Sequence, residues 1–356
     1  MKKRVLHQFL VDVSTGDATS DHAFLIRSWL RDMGFESEIY SPEYAEELEA
    51  EVHRFTPGAL TGQELVIYHH TIGSVSLDKL ISRRIPLLLI YHNITPAKYF
   101  ISTDPVLAGQ LIKGREQLSD ILPLTRLALG ASGYSEEELK QIGYENTGVL
   151  PIVLKEAAYD IPVDGALQAR IQDGGPTLLF VGRVAPNKCQ EDLVKLLYYV
   201  RQVLPRARLI LVGSLKAESY VRWLKDFIDK NGLTDAVTLT GHVTQQEMVT
   251  YYRSADLFVS MSEHEGFGKP LIESMYQGLP VLAYSAAAVP STMGDAGVLF
   301  TRKEFEPLSE MVRILYEDQE IRQKLIITQT RRAQDFLEAN VRMQFRKYLE
   351  QLDHLR

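Results

Sequence analysis

The sequence predicts an α/β protein made of two similar halves, each built on an open parallel sheet. Short apolar runs alternate with helical stretches along the whole chain, and several, such as residues 64–70, are apolar on both faces, as strands covered by helices are. The 356 residues exceed one ordinary core, and a segment rich in proline and glycine at 151–176 interrupts the pattern. We therefore expect ligands at the carboxyl ends of the strands, with the cleft between the halves as the default active site.

The first half begins with a strand and a turn of small residues that leads into a helix. Ser20 or Asp21 is a plausible N-cap of this helix, which runs to Met33 and is closed by Gly34. A glutamate-rich stretch at 44–52 predicts a second, solvated helix. The predicted strands of this half cover residues 4–11, 36–40, 64–70, 86–92, 127–130 and 147–150.

The second half repeats the pattern after the interruption, which is the predicted linker. Its predicted strands cover residues 177–182, 209–213, 237–241, 255–261 and 280–284, and its helices cover 190–203 and 217–230 and begin near 245 and 270. Helices of mixed charge follow from 305 to 355. The resulting domains are 1–165 and 166–336, with the last helix, 337–356, expected to return to the first domain.

Composition excludes several classes of protein. A net charge of −7 and a pI near 5.8 argue against a nucleic-acid partner. The single cysteine, Cys189, excludes an intramolecular disulfide framework and a cysteine-based zinc cluster. The start of the chain is interrupted by His7 and Gln8 and predicts a strand, not a signal peptide. Since no apolar run reaches the roughly 18–20 residues that span a bilayer, we expect a soluble, cytoplasmic protein.

Residues 262–273 (SEHEGFGKPLIE) carry the strongest functional pattern. They follow the apolar run 255–261 and pass through two glycines into a helix that starts near Pro270. A strand that ends in a glycine-rich turn and feeds a helix leaves backbone N–H groups available to an anion. Glu265 lies before the helix and Glu273 about one turn inside it, so both carboxylates could face one crevice.

Arg183 and Lys188 lie in the loop after the first strand of the second half. They could clamp a diphosphate, the arginine with a planar fork and the lysine as a point charge. On their own, two solvated loop charges are the simpler interpretation. Their convergence with the helix N-terminus at Gly266, Phe267 and Gly268 favours an anion site.

The two glutamates allow two interpretations. They could be a general acid and base, as in glycoside hydrolases. A carboxylate beside a diphosphate repels it, however, unless that carboxylate addresses a neutral group, and sugar hydroxyls are the natural partners. His92, His69 and His70 end neighbouring strands, and spacing does not separate a catalytic role from a structural one. The chain contains no Asp-x-Asp, no G-x-G-x-x-G and no G-x4-G-K-[ST].

With these residues in place, the chain resembles the retaining GT-B glycosyltransferases of the Glu-x7-Glu type, a family 4-like, group 1 pattern. The resemblance rests on residues 265–273, on Val181-Gly182-Arg183 with Lys188, and on the segments 278–281 and 294–297. Leu129-Gly130-Ala131-Ser132 and Leu150-Pro151 resemble the approach to the family's domain junction. The match covers most of the chain and is strongest from 177 to 300. It implies the GT-B fold, two Rossmann-like domains facing each other across a cleft.

The resemblance also implies roles for single residues. Arg183 and Lys188 would hold the donor diphosphate, and Glu273 the ribose hydroxyls. Glu265 and the backbone of Gly266, Phe267 and Gly268 would address the donor sugar and phosphate. The turn at Gly241-His242-Val243 resembles the family's base-contacting loop, and His92 matches its active-site histidine near the donor sugar.

The chain departs from the family pattern at three places. Ser14-Thr15-Gly16-Asp17 stands where a Gly-Gly loop is usual, which makes Gly16 the weaker match. Lys269 replaces an apolar residue. Asn187 and Cys189 flank Lys188 where Glu and Gly are usual.

The resemblance implies transfer of a hexose with retention of configuration and without a metal or other cofactor. The donor would be GDP-mannose in preference to a UDP-sugar. The competing hypotheses are a GT-B-type epimerase or phosphorylase, and a non-catalytic sugar-nucleotide-binding subunit.

The acceptor would be bound and recognised by the first half, around Gly16, Asp17, His69 and His70. By analogy it is a glycan, on a lipid carrier, in surface polysaccharide or glycolipid assembly. That would suggest a peripheral contact with the inner face of the membrane. Solvated surface charge is the simpler interpretation of each candidate basic residue: Lys2, Lys3, Arg4, Arg83, Arg84, Lys113 and Arg115.

Overall fold

The computed structural model describes residues 4–56, 58–60, 64–172 and 175–354. These divide into two compact units. Unit 1 takes the described residues up to Val153 and those from Ala339 onward, and unit 2 is Leu154–Glu338. The division falls at 153/154 and not at 165/166, because the predicted linker is partly helical and packs within unit 2. Of the predicted linker glycines, Gly174 lies outside the described residues.

Unit 1 is organised on a seven-stranded parallel sheet. Its described strands are β1 (Arg4–Val5), β2 (His7–Leu10), β3 (Asp12–Val13), β4 (Phe35–Glu36), β5 (Ile39–Ser41), β6 (Glu43–Tyr44), β7 (His53–Arg54), β8 (Val66–His70), β9 (Leu87–Tyr91), β10 (Thr125–Gly130) and β11 (Thr147–Val149). The sheet order is β11-β10-β9-β8-β2-β5-β7, while β1 pairs with β4 and β3 with β6. The chain direction across the sheet therefore reverses between β2 and β8, and such a switch point is where open α/β sheets bind ligands.

The helices of unit 1 are α1 (Ala18–Asp32), α2 (Val75–Ser82), α3 (Pro105–Ile121), α4 (Gly133–Ile142) and the C-terminal helix (Glu338–His354). The C-terminal helix buries Val341, Phe345 and Leu349 in the same core as Trp29 of α1. Its Tyr348 hydroxyl donates to the Val149 carbonyl at 3.1 Å. A helix that follows the whole of unit 2 in sequence thus completes the core of unit 1.

Two local predictions in unit 1 were wrong. The N-cap of α1 is Asp17, and not Ser20 or Asp21, because the Asp17 carboxylate accepts from the backbone N–H groups of Thr19 and Ser20. The glutamate-rich stretch forms no α-helix. Its first residue, Tyr44, ends β6, whose parallel pairing with β3 overrides helix propensity there, and a single 3-10 turn follows at Glu46–Leu48.

Unit 2 is organised on a six-stranded parallel sheet with the order β14-β13-β12-β15-β16-β17. Its strands are β12 (Thr177–Val181), β13 (Arg208–Val212), β14 (Val237–Gly241), β15 (Leu257–Ser260), β16 (Val281–Tyr284) and β17 (Val298–Phe300). Numbered within the unit, this is the 3-2-1-4-5-6 order of Rossmann folds. The switch point lies between β12 and β15, and both strands are fully buried.

The described helices of unit 2 are α5 (Glu156–Tyr159), α6 (Gly165–Gln172), α7 (Gln190–Val203), α8 (Glu218–Lys230), α9 (Gln245–Ser254), α10 (Lys269–Tyr276), α11 (Val289–Met293), α12 (Phe305–Glu317) and α13 (Gln319–Ala333). Helix α6 buries Leu167 and Ile171. Just before it, the Asp164 backbone N–H donates to Thr250 Oγ1 of α9 at 2.8 Å. These contacts explain why α5 and α6 belong to unit 2 and do not form an open linker.

Candidate functional site

The switch point of unit 2 brings together two loops that are far apart in sequence. The loop after β12 carries Arg183 and Lys188, and the loop after β15 carries Glu265. The Asn187 side chain donates to the His264 carbonyl at 3.2 Å, and the Glu263 backbone N–H donates to the Asn187 carbonyl at 3.0 Å. These two bonds hold the loops against each other.

Lys188 and Glu265 form an ion pair between these loops. Lys188 Nζ lies 2.6 Å from Glu265 Oε1, and the two side chains are only 14% and 15% exposed. A pair at this depth is screened less by water than a surface pair is. The predicted diphosphate cation is therefore paired with the predicted sugar-binding carboxylate.

The backbone beside Lys188 explains one departure from the family pattern. Cys189 has φ 52° and ψ 48°, the left-handed conformation that a side chain disfavours and glycine adopts freely. It ends a 3-10 turn at Pro186–Lys188 and precedes α7. This position therefore needs the backbone shape that the family's usual glycine provides.

Arg183 is exposed, and within the described part of the chain no carboxylate lies within 4.0 Å of its guanidinium. Its backbone is fixed, since Gln190 Nε2 donates to the Arg183 carbonyl at 2.9 Å. A fixed backbone with an unpaired cationic side chain suits the capture of an anion from solvent.

The glycine turn before α10 has the predicted form. Gly268 adopts φ 87° and is the N-cap of the helix, and Pro270 follows in its first turn. Thr292 Oγ1 donates to the Phe267 carbonyl at 2.5 Å, which anchors the turn. The aligned peptide dipoles place partial positive charge at this end of α10. Gly266 precedes the N-terminus, next to Glu265.

Glu273 lies one turn into α10 and is buried, 6% exposed. The Tyr252 hydroxyl donates to its Oε2 at 2.5 Å, the Tyr159 hydroxyl donates to its Oε1, and Lys269 Nζ lies 3.5 Å from Oε1. Sequence reasoning missed both tyrosines. Tyr159 is 114 positions away, and its spacing gives no signal. The predicted ribose-binding carboxylate is thus held in place by two phenols.

The turn at residues 241–243 follows β14, at one edge of the sheet. Gly241 has φ 72°, His242 is exposed and Val243 is half-buried. The predicted role of Val243 toward the base stays a prediction.

In unit 1, the switch point is lined by buried histidines. His69 lies one residue before the end of β8, His92 follows β9 and His22 lies on α1. His69 Nδ1 lies 3.1 Å from His92 Nε2, and the two ring planes are 16° apart. The His22 ring stands edge-on to His92, with centroids 5.8 Å apart. Gly16, by contrast, is exposed in the turn before α1, with φ 74°.

The hydrogen bonds separate the three strand-end histidines. His70 uses both ring nitrogens, toward the Tyr68 hydroxyl at 2.6 Å and the Gly114 carbonyl at 2.8 Å, which is a structural arrangement. His69 also uses both, toward His92 and toward Gln8 Oε1 at 2.9 Å. His92 uses only Nε2, since within the described residues its buried Nδ1 has no partner. Gln8 and His22 were not singled out from the sequence.

Burial keeps these histidines neutral. Desolvation, with a smaller contribution from His92, lowers the pKa of His22 to about 3. Desolvation, followed by His70, lowers the pKa of His92 to about 3. Desolvation also holds the pKa of His69 well below its usual range, and lowers that of His70 to about 4. At neutral pH each ring is therefore an uncharged donor and acceptor.

The described residues contain no group of three histidine, cysteine or acidic side chains placed to hold a metal ion. Across the same ranges, no helix is long and apolar enough to cross a bilayer. Two of the predicted membrane-contacting cations are paired, Lys113 with Asp78 at 2.7 Å and Arg115 with Glu138. Lys2 and Lys3 lie outside the described residues.

Residues 168–332 match the family model described as "Glycosyl transferases group 1". Among curated relatives, the chain is 24% identical over 292 residues to the sulfoquinovosyl transferase SQD2 of Arabidopsis thaliana, covering 77% of this chain and 52% of that one. It is 32% identical over 143 residues to the GDP-mannose:cellobiosyl-diphosphopolyprenol alpha-mannosyltransferase of Xanthomonas campestris, covering 40% and 37%. The chain thus spans about half or less of the length of these relatives.

Solved structures match over nearly the full length. The sucrose-phosphate synthase of Thermosynechococcus elongatus aligns with a TM-score of 0.79 at 19% identity, covering 99% of this chain and all of that one. Anabaena HepE in complex with UDP and glucose aligns with a TM-score of 0.76 at 19% identity, covering 98% and 100%. The solved structures establish the GT-B fold, and the match to the group 1 glycosyl transferase model lies within unit 2, at residues 168–332.

Proposed function

We propose that the protein is a retaining glycosyltransferase that moves a hexose, with mannose favoured, from a nucleoside-diphosphate sugar to a glycan acceptor. The observation that carries this is the Lys188–Glu265 ion pair at the switch point of unit 2, beside the N-terminus of α10. A cation, a helix N-terminus and a carboxylate together suit a ligand with a diphosphate at one end and hydroxyls at the other.

In this proposal, Lys188 and Arg183 bind the donor diphosphate. They stabilise the negative charge that develops on it as the glycosidic bond breaks, and the N-terminus of α10 adds partial positive charge. When the phosphate takes Lys188 as its partner, the Glu265 carboxylate becomes available to accept hydrogen bonds from the sugar hydroxyls. We propose that these positive charges meet the need that a divalent cation meets elsewhere. The departing phosphate oxygen takes the acceptor proton, so no separate base is needed.

The choice of donor rests on the relatives. Several are named as GDP-mannose-dependent mannosyltransferases, including proteins of Corynebacterium glutamicum and Xanthomonas campestris. The HepE structures, by contrast, contain UDP, with glucose in one complex, or UDP-glucose. We favour GDP-mannose because the sequence identity to the mannosyltransferases is higher.

For the acceptor, we propose a lipid-linked glycan at the inner face of a membrane, in surface polysaccharide or glycolipid assembly. The names of several relatives include lipid-linked acceptors, such as cellobiosyl-diphosphopolyprenol and phosphatidylinositol monomannoside.

A donor screen tests the proposal. The melting temperature is measured with GDP-mannose, UDP-glucose, GDP and UDP, each with and without EDTA. A ligand present at about 100 times its Kd stabilises the folded state by about 2.7 kcal/mol. We expect GDP-mannose to give the largest increase, EDTA to leave it unchanged, and slow release of mannose to accompany it. If no nucleotide sugar raises the melting temperature or is hydrolysed, the proposal is wrong.

A further inference from the structure

The side chains around His92 form a hydrogen-bond chain whose donors and acceptors can be assigned. Gln8 Nε2 donates to the Ala23 carbonyl at 3.0 Å, which fixes the orientation of the amide. Gln8 Oε1 must then be the atom facing His69 Nε2, at 2.9 Å. An amide oxygen only accepts hydrogen bonds, so the proton in this contact belongs to His69 Nε2.

The position of the proton on His69 determines the position of the proton on His92. A neutral imidazole carries one ring proton, so His69 Nδ1 is bare and accepts in the 3.1 Å contact with His92 Nε2. The proton of that contact therefore belongs to His92 Nε2. The alternative, with His69 protonated on both nitrogens, would place a charge at a fully buried ring, and burial holds the pKa of His69 well below its usual range.

This chain of hydrogen bonds leaves one ring nitrogen of His92 without a partner. With its proton on Nε2, neutral His92 has a lone pair on Nδ1, and this buried nitrogen has no partner in the ranges that the structure describes. His92 as a whole residue is 8% exposed. A buried acceptor without a partner is costly, typically by about 1–3 kcal/mol, unless a ligand satisfies it.

We propose that Gln8 and His69 are positioning residues that hold His92 in its Nε2–H tautomer, so that the bare Nδ1 can accept a hydrogen bond from a sugar hydroxyl bound by unit 1. That the hydroxyl belongs to a sugar rests on the proposed function, whereas the tautomer does not. Gln8 and His69 act only through His92.

The tautomer can be measured directly by NMR on protein labelled with ¹⁵N-histidine at pH 7, because bare and protonated ring nitrogens resonate far apart. His92→Gln assigns the His92 signals. In the wild-type protein we expect a protonated Nε2 and a bare Nδ1. A proton on His92 Nδ1, or on both nitrogens, overturns the proposal whether or not the enzyme is active.

Two variants test the positioning role. In His69→Leu the acceptor is lost, so we expect the His92 tautomer to become mixed and kcat/KM to fall by about tenfold, the effect of one hydrogen bond. In His69→Asn the side-chain oxygen takes the place of Nδ1, so the tautomer and most of the activity should return. Gln8→Leu, which touches neither His92 nor the sugar, should shift the tautomer in the same direction as His69→Leu.

The results separate this inference from the proposed function. An unchanged His92 tautomer in both folded leucine variants would refute the positioning role. The expected tautomers without any sugar transfer would instead count against the proposed function.

Discussion

The two units have the same kind of sheet topology, but different side chains line their switch points. Each has a parallel sheet with one switch point, between β2 and β8 in unit 1 and between β12 and β15 in unit 2. In unit 1 that point is lined by neutral, buried rings and an amide. In unit 2 it is lined by an ion pair and an exposed arginine. Neutral donors and acceptors suit hydroxyl groups, whereas fixed charges suit a phosphate, so the contrast indicates the kind of chemical group that each sheet can bind.

Acid should give the largest difference between the units, because it should destabilise unit 1 at a higher pH than unit 2. The pKa of His22 and of His92 is about 3 in the folded state and about 6.5 in the unfolded chain. The contribution of these two neutral rings to the free energy of unfolding is therefore complete above pH 6.5. It is lost as the pH falls toward 3, because only the unfolded state takes up protons in that window. From these two rings alone, lowering the pH from 7 to 5 should cost unit 1 about 4 kcal/mol, and the lowered pKa values of His69 and His70 add to it.

Amide hydrogen exchange, resolved by unit, measures this difference. His22→Leu should flatten the pH dependence of unit 1, because it replaces a buried ring that has no hydrogen bond within the described residues. His242→Asn, at an exposed position in unit 2, is the matched control and should change nothing. Equal acid sensitivity of the two units would contradict the prediction.

Removing the central cation of unit 2 should affect catalysis more than folding. We expect Lys188→Ala to lower kcat by about 10²–10³-fold, the usual cost of losing one group that stabilises transition-state charge. Some stability should be lost as well, since Glu265 is left mostly buried without its partner, so kcat is compared at a temperature where both proteins are folded. Lys324→Ala removes an exposed helical ion pair and serves as the control. Near-wild-type kcat with an unchanged melting temperature would remove Lys188 from the site.

The smallest expected effect concerns backbone packing between the end of β13 and the loop after β12. A Cβ on Gly213, at the end of β13, would lie 2.1 Å from the Gly182 carbonyl oxygen. Gly213→Ala should therefore destabilise unit 2 by about 2 kcal/mol, as overpacking does, and weaken donor binding. Gly109→Ala in α3 meets no atom within 4 Å and should stabilise unit 1 by about 0.5–1 kcal/mol. Urea unfolding measures the change in the free energy of unfolding for both variants. A change of the same sign in both would refute the packing argument.

The sequence alone predicted what local patterns encode. The apolar runs predicted the central strands in both units, and the glycine turn predicted the start of α10 to within one residue of Pro270. Both signals lie within a few consecutive residues. Arg183, Lys188 and Glu265 were predicted as site residues for the same reason, because they follow the ends of strands.

What the sequence could not show depends on contacts between distant positions. Gln8 meets His69 across 61 positions, and Tyr159 meets Glu273 across 114, so no spacing rule connects them. Competition between local signals caused the remaining errors. Asp17, Ser20 and Asp21 can each cap a helix, and only the folded backbone decides among them.

The left-handed Cys189 has a practical consequence. It is the only cysteine in the chain, it follows Lys188, and burial raises the pKa of its thiol to about 12. A thiol reagent needs a thiolate and access, and both are scarce while the loop is closed. The rate of its modification therefore reports how often this loop opens, at a single sulfur atom, without any added label. Cys189, which stands where glycine is usual, thus lets the opening of the loop after β12 be measured without any substitution.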